Sequence, residues 1–126
     1  MKLSDFELEV MQIMWDKAPM IATEVHEVVA DRRKVAYSTV KTIIDRLEEK
    51  GAVRRCRTYG RTILYEPAIT REELTPSLFR SFVEKTYQGE LRPLFNHALK
   101  AENLTLDDLA YLEKILADKK EEMADD

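Results

Sequence analysis

Apolar positions at the start of the chain recur with the period of a helix. Phe6, Val10, Ile13 and Met14 form one stripe, and Leu8, Met11 and Trp15 widen it over much of the circumference. The pattern predicts a largely buried helix from Asp5 to Trp15, capped by Ser4 or Asp5 and ended by Asp16-Lys17-Ala18-Pro19. Met20-Ile21-Ala22 is a short apolar stretch, after which Thr23 caps a second, short helix with Val25, Val28 and Val29 facing inward. Beyond the charged turn Asp31-Arg32-Arg33-Lys34, Ser38 opens a third helix. Its Val40, Ile43, Ile44 and Leu47 keep the spacing of one helical face without a defect. Lys50-Gly51 closes it, with a cation at the negative end of the dipole and glycine at the left-handed position that follows a helix.

After Gly51 the period changes from that of a helix to that of a strand. Ala52 to Arg57 alternates partly, Thr58-Tyr59-Gly60-Arg61 supplies a turn, and Thr62 to Glu66 is β-branched and aromatic until Pro67 stops it. Two short runs about a glycine turn predict a β-hairpin. The remainder returns to helix. Thr70-Arg71-Glu72-Glu73 has capping-box spacing, and Thr75-Pro76 reads as a second start. Leu78, Phe79, Phe82 and Val83 form one face, Leu91, Leu94, Phe95, Ala98 and Leu99 the next, and Leu109, Leu112, Ile115 and Leu116 the last, in a helix that starts at Thr105 and frays from Lys119 to Asp126. The expected fold is mainly α with a small β-hairpin. A winged helix-turn-helix domain over residues 1–69 precedes a helical dimerisation region over 70–126. Three short C-terminal helices with wide apolar faces exceed what so small a winged domain can cover. A homodimer is therefore expected, with Leu78, Phe79, Phe82, Leu94, Phe95, Leu109, Leu112 and Leu116 in or beside its interface.

Charge adds a direction to this picture. The 126 residues carry a net charge of -4, yet residues 32–61 hold 10 basic against 3 acidic side chains. A basic block inside an acidic protein points to an anionic partner at one place on the surface. On the third helix Ser38, Thr42, Asp45 and Glu49 lie opposite the apolar stripe, with Lys41 on one flank and Thr39 and Arg46 on the other. The N-terminal half of that face is small and hydroxylated and can approach base edges, whereas Asp45 and Glu49 repel phosphates. Only the first two turns are therefore expected in the major groove of a double-stranded DNA operator. Arg46 is left to a phosphate or an acidic neighbour. Arg54, Arg55, Arg57 and Arg61 on the hairpin, and Arg32 and Arg33 with Lys34 before the third helix, are placed to hold the sugar-phosphate backbone. The competing reading is a winged-helix protein-interaction module that docks an acidic partner through the same face.

The stretch from Ala36 to Gly51 resembles the recognition-helix signature of the penicillinase-repressor family, the BlaI and MecI type. Leu8 to Trp15 resembles its first-helix signature, Tyr65-Glu66-Pro67 its wing exit, and Phe82 through Tyr87-Gln88-Gly89 the start of its dimerisation region. The resemblance runs from about Leu3 to Leu116. It implies a homodimeric bacterial repressor of a palindromic operator, controlling β-lactam resistance or related genes. It also implies a regulatory protease as a further partner. That protease cleaves family members at an Asn-Phe bond, and the corresponding bond here is His97-Ala98, with no Asn-Phe pair anywhere in the chain. The family's copper-responsive members carry paired cysteines near the C-terminus. Here no cysteine follows Cys56, so copper sensing is not expected.

The rest of the chain offers little other chemistry. Cys56 reads as a half-buried small hydrophobe in the wing, since no second thiol exists to resolve an oxidised state. His26 and His97 lack metal-ligand spacing, and Glu72-Glu73 and Asp107-Asp108 read as helix N-terminal charges. No phosphate loop, nucleophile elbow or zinc-protease helix occurs, so neither enzymatic activity nor a cofactor is expected. Without a secretory signal or an apolar run of membrane-spanning length, a reducing, cytoplasmic location without membrane insertion is expected.

Overall fold

The computed structural model describes residues 1–125. Its elements run α1 (Asp5–Lys17), β1 (Met20–Ile21), α2 (Ala22–Ala30), α3 (Tyr37–Glu49), β2 (Val53–Tyr59), β3 (Thr62–Pro67), α4 (Arg71–Tyr87), α5 (Arg92–Leu99) and α6 (Leu106–Ala124). The chain divides into two compact units, 1–80 and 81–126, so α4 contributes its first ten residues to one and the rest to the other.

In the first unit three helices pack against a small antiparallel sheet of order β1-β3-β2. Its core draws Val10, Met11 and Met14 from α1, Val25 and Val29 from α2, Val40, Ile44 and Leu47 from α3, and Val53 and Tyr65 from the sheet. Each such side chain withdrawn from water contributes about 1.5–3 kcal/mol, which is what orients α3 against the other two helices. Ser4 starts α1 through a reciprocal pair of bonds: its hydroxyl accepts the Glu7 N–H at 3.1 Å, and the Glu7 carboxylate accepts the Ser4 N–H at 2.9 Å. Gly51 has φ +82°, and its left-handed turn swings the chain from α3 into β2.

Several expectations change. Met20 and Ile21 are not merely a connecting stretch; they pair with Tyr65 and Leu64 and add a third strand to the hairpin. Thr23 does not cap α2. The cap is Ile21, two residues earlier, and the helix begins at Ala22, because the Glu24 carboxylate accepts the Ile21 N–H at 3.0 Å and turns the chain there. Likewise Ser38 lies inside α3, which begins at Tyr37 with Ala36 as its capping residue and no side-chain cap.

The second start expected at Thr75-Pro76 does not occur. Thr70 accepts the Glu73 N–H at 3.0 Å and opens one helix that passes through Pro76. Thr75 and Ser77 donate their hydroxyls to the Arg71 and Leu74 carbonyls, at 2.7 and 3.0 Å, and so cap nothing. In the second unit Thr105 and Asp108 make a capping box at the start of α6. The helix continues past Lys119 to Ala124, a stretch of good helix formers with a Lys119–Glu122 pair at 3.5 Å. The expectation for Asp126 lies outside the described residues.

Candidate nucleic-acid interface

α3 carries its two chemistries on opposite faces. Val40, Ile43, Ile44 and Leu47 are buried, while Ser38, Thr39, Thr42, Asp45, Arg46 and Glu49 are exposed. Lys41 is half-buried. The Thr42 hydroxyl donates its hydrogen to the Ser38 carbonyl at 2.9 Å. Outward it therefore presents a methyl group and acceptor lone pairs, not a donor. Lys41 bonds Asp45 one turn away, and that carboxylate holds the Lys41 ammonium above the ordinary lysine range.

β2 and β3 form the wing, joined through Gly60 at φ +60°. Their register pairs Arg54 with Glu66 and Arg55 with Tyr65, then slips by one residue so that Arg57 faces Leu64. Cys56 is the extra residue of this bulge. It is skipped by the strand register, its thiol donates to the Leu64 carbonyl at 3.4 Å, and it is exposed, not half-buried as its apolar character predicts.

Alternation across the pleat then sorts the arginines. Arg54 meets the Glu66 carboxylate at 2.8 Å on one face. Arg55 reaches Glu48 of α3 at 2.7 Å on the other, and Glu48 raises the Arg55 pKa. Arg57 donates to the Tyr59 hydroxyl at 2.8 Å and stacks beside that ring.

The basic block is thus partly neutralised within the first unit. Arg32 and Arg33 both bond Glu9 of α1, at 3.5 and 2.9 Å, and Arg33 lies 4.3 Å from the centre of the Phe6 ring. With Lys41, Arg54 and Arg55, five of the eleven candidate DNA residues pair with a carboxylate in the free chain. Arg46, Arg57 and Arg61 have no acidic partner among the described residues. The structure therefore brings Ser38, Thr39, Lys41, Thr42 and Arg46 together on one helix face, with Arg54, Arg55, Arg57 and Arg61 on the adjoining hairpin. Arg32 and Arg33 lie beside α1.

The Lys41–Asp45 pair follows from helical spacing. The Glu9 and Glu66 pairs depend on tertiary packing and strand register, which no local pattern fixes. Reasoning from sequence also missed Glu7, buried in the first unit and joined to Lys50 at 2.7 Å. His26 fixes the approach to α3 through an Nε2–H bond to the Val35 carbonyl at 2.8 Å.

Of the expected interface residues, Leu78 and Phe79 lie in the first unit's portion of α4 and Phe82 in the second's. Leu94 and Phe95 are on α5, and Leu109, Leu112 and Leu116 on α6. Neither α5 nor α6 has a buried residue. Phe95 and Leu99 of α5 and Leu109, Leu112 and Leu116 of α6 line an apolar groove of about 480 Å³. Among the described residues no helix is long and apolar enough to cross a membrane.

The chain is similar to the penicillinase repressor of Bacillus licheniformis, 28% identical over 119 residues that span 94% of this chain and 92% of that one. It is 27% identical to the methicillin resistance regulatory protein MecI of Mammaliicoccus sciuri over 118 residues, 94% of this chain and 95% of that one. A solution structure of monomeric Bacillus licheniformis BlaI in complex with the blaP half-operator superposes with a TM-score of 0.50 at 30% identity, over 58% of this chain and 88% of that one. The penicillinase repressor model matches residues 3–118, the winged first unit and most of the second, and the chain belongs to that family.

Proposed function

We propose that this protein is a transcriptional repressor that binds a palindromic operator as a homodimer. Residues 1–69 would contact DNA and residues 70–126 would join the two copies. The observation that carries the reading is α3, whose apolar stripe is wholly buried while Ser38, Thr39, Thr42 and Arg46 stand exposed beside an arginine-bearing hairpin. In this reading the first two turns of α3 enter the major groove, with Ser38, Thr39, Lys41 and Thr42 near base edges. Arg46, Arg54, Arg55, Arg57 and Arg61 hold phosphates, and Arg32 and Arg33 do so where they exchange Glu9 for the backbone. The names of the relatives extend the proposal to genes of β-lactam resistance or related functions.

Footprinting on the DNA upstream of the protein's own gene tests this. The expected result is a protected palindrome, bound at least about 1000-fold tighter than random duplex at physiological salt. Equal binding to operator-sized and random DNA would instead favour a surface that docks an acidic partner.

A further inference from the structure

Between the end of α1 and the segment that leads from the wing into α4, the first unit holds an open cleft of about 450 Å³. Small-molecule sites typically enclose about 300–1000 Å³. The apolar wall of the cleft comes from Met14, Trp15, Ala18, Pro67 and Ile69. Trp15 is half-buried, and its Nε1–H donates to the Ile69 carbonyl at 2.9 Å. That bond uses the one polar group of the indole, so Trp15 offers the cleft ring surface alone.

Two cations line the same cleft, and each keeps donors free. Arg54 bonds Glu66 through Nε alone, at 2.8 Å, which leaves its two Nη groups for a second acceptor. Arg71 has no acidic partner among the described residues. Its guanidinium lies over the Trp15 ring, 5.1 Å from the ring centre. Glu66 balances Arg54, so Arg71 is the uncompensated cation of the wall. Glu72, an exposed lining residue, disfavours a second negative charge in anything bound there. Trp15 and Arg71 have no part in the proposed DNA contacts, and Arg54 lies on the wing face opposite Arg55.

We propose that this cleft binds a small, flat, apolar monocarboxylate. The apolar body would lie against the Trp15 ring and the aliphatic wall. The carboxylate would take Arg71 as its counter-ion and the Arg54 Nη–H groups as further donors. An aromatic acid fits these walls best, because a ring stacks on an indole and on a guanidinium plane alike. The assignment does not depend on the DNA-binding reading.

Trp15 is the single tryptophan of the chain, so its Nε1–H gives one indole signal in an amide spectrum of the full protein. Titration with naphthoate, an aromatic acid with fused rings, should move that signal saturably. Naphthamide keeps the rings and the shape but not the charge, and should bind at least about tenfold more weakly, the loss of a hydrogen bond to a charged group. Acetate, the carboxylate without the rings, should leave the signal in place at the same concentration. Arg71→Gln removes an exposed cation that has no ion pair, so it should melt close to the parent. It should weaken naphthoate binding at least about tenfold, and duplex binding should not change. Arg71→Lys, which restores the charge without the planar fork, should recover part of the naphthoate affinity.

A Trp15 signal that stays still, or that drifts without saturating up to millimolar naphthoate, would overturn the site. If naphthamide binds as well as naphthoate, or Arg71→Gln as well as the parent, the carboxylate assignment falls. Movement of the Phe95 and Leu112 amides in place of the Trp15 signal would put the acid in the apolar groove of the second unit and remove it from the cleft. A parent that binds naphthoate at Trp15 but binds no duplex at any salt would sustain the cleft while the DNA reading falls.

Discussion

Glu7 is the one charged residue buried among the described residues, and its ion pair with Lys50 ties α1 to the end of α3. Burial pushes its carboxyl pKa up, but hydrogen bonds from Lys50 and from Ser4 outweigh this and leave it below the ordinary value of about 4.5. A depressed carboxyl pKa means that the unfolded chain binds the proton more readily. The stabilisation is therefore complete above about 4.5 and is lost as pH falls through the folded value. Glu7→Gln should cost about 1–3 kcal/mol at neutral pH, since the partly exposed Lys50 can rehydrate. Denaturant titrations at neutral and acid pH should show the parent converging on the variant as carboxylates protonate. Parallel pH profiles for the two would remove Glu7 from the account. A second residue-scale expectation concerns Thr42, whose hydroxyl hydrogen is already committed to Ser38. Contact with a base then runs through its methyl and its lone pairs. Thr42→Ala should cost about 1–3 kcal/mol on operator and nothing on random duplex. Thr42→Val, which keeps a methyl group, should lose less. Asp45→Ala frees Lys41 and removes a charge that repels phosphate, so it should tighten binding to both DNAs. Loss of operator discrimination in Asp45→Ala, with Thr42→Ala silent, would mean that α3 docks by its C-terminal half.

At the scale of elements, the wing behaves as two sets of arginines. Arg54 and Arg55 face Glu66 and Glu48, and Arg57 has only Tyr59. If Arg57 meets a phosphate, Arg57→Ala should weaken specific and random binding by similar factors and lower the salt slope by about one unit. An unchanged slope in anisotropy titrations at several salt concentrations would take Arg57 off the backbone. The division between paired and unpaired arginines also marks how far the sequence could be read. α3 was legible because Val40, Ile43, Ile44 and Leu47 are spaced for a single face and Gly51 ends it, signals local to the helix. The hairpin was legible from the change of period. Its register was not, because a bulge at Cys56 shifts every later residue by one, and no residue type announces it. β1 escaped notice because two residues are too few for any pattern, and their strand geometry comes from pairing with β3. Thr75-Pro76 misled because proline is tolerated at a helix start and also, at the loss of one hydrogen bond, within a helix already capped at Thr70. The exposed face of α3 could therefore be assigned from sequence, but the carboxylates that neutralise its surroundings could not.

At the scale of the whole molecule, the two units differ in how well each satisfies itself. The first unit closes a core about Met11, Met14, Ile44, Leu47 and Tyr65. The second leaves Phe82, Phe95, Leu99 and Leu116 about half exposed, at 49, 54, 53 and 57%. Its helices border an apolar groove, and α5 and α6 bury no residue fully. Apolar surface of this extent on a chain whose net charge is only -4 favours association, and a second copy presents the same surface in return. A symmetric dimer also supplies what a palindromic operator requires, two recognition helices related by a two-fold axis. Light scattering at micromolar concentration should give twice the mass of the 14.7 kDa chain. Leu116→Glu or Phe95→Glu exchanges an apolar contact of about 1.5–3 kcal/mol per copy for a buried charge. Each should therefore raise the dimer dissociation constant by at least about 100-fold. These residues lie outside the winged unit, so either variant should keep the thermal transition of residues 1–80 and still bind a half-site. Only its affinity for the full palindrome should fall, because the second half-site no longer adds to the first. A parent that scatters as a monomer would overturn the dimer. A dimeric Leu116→Glu with undiminished binding to the palindrome would move the interface away from α6.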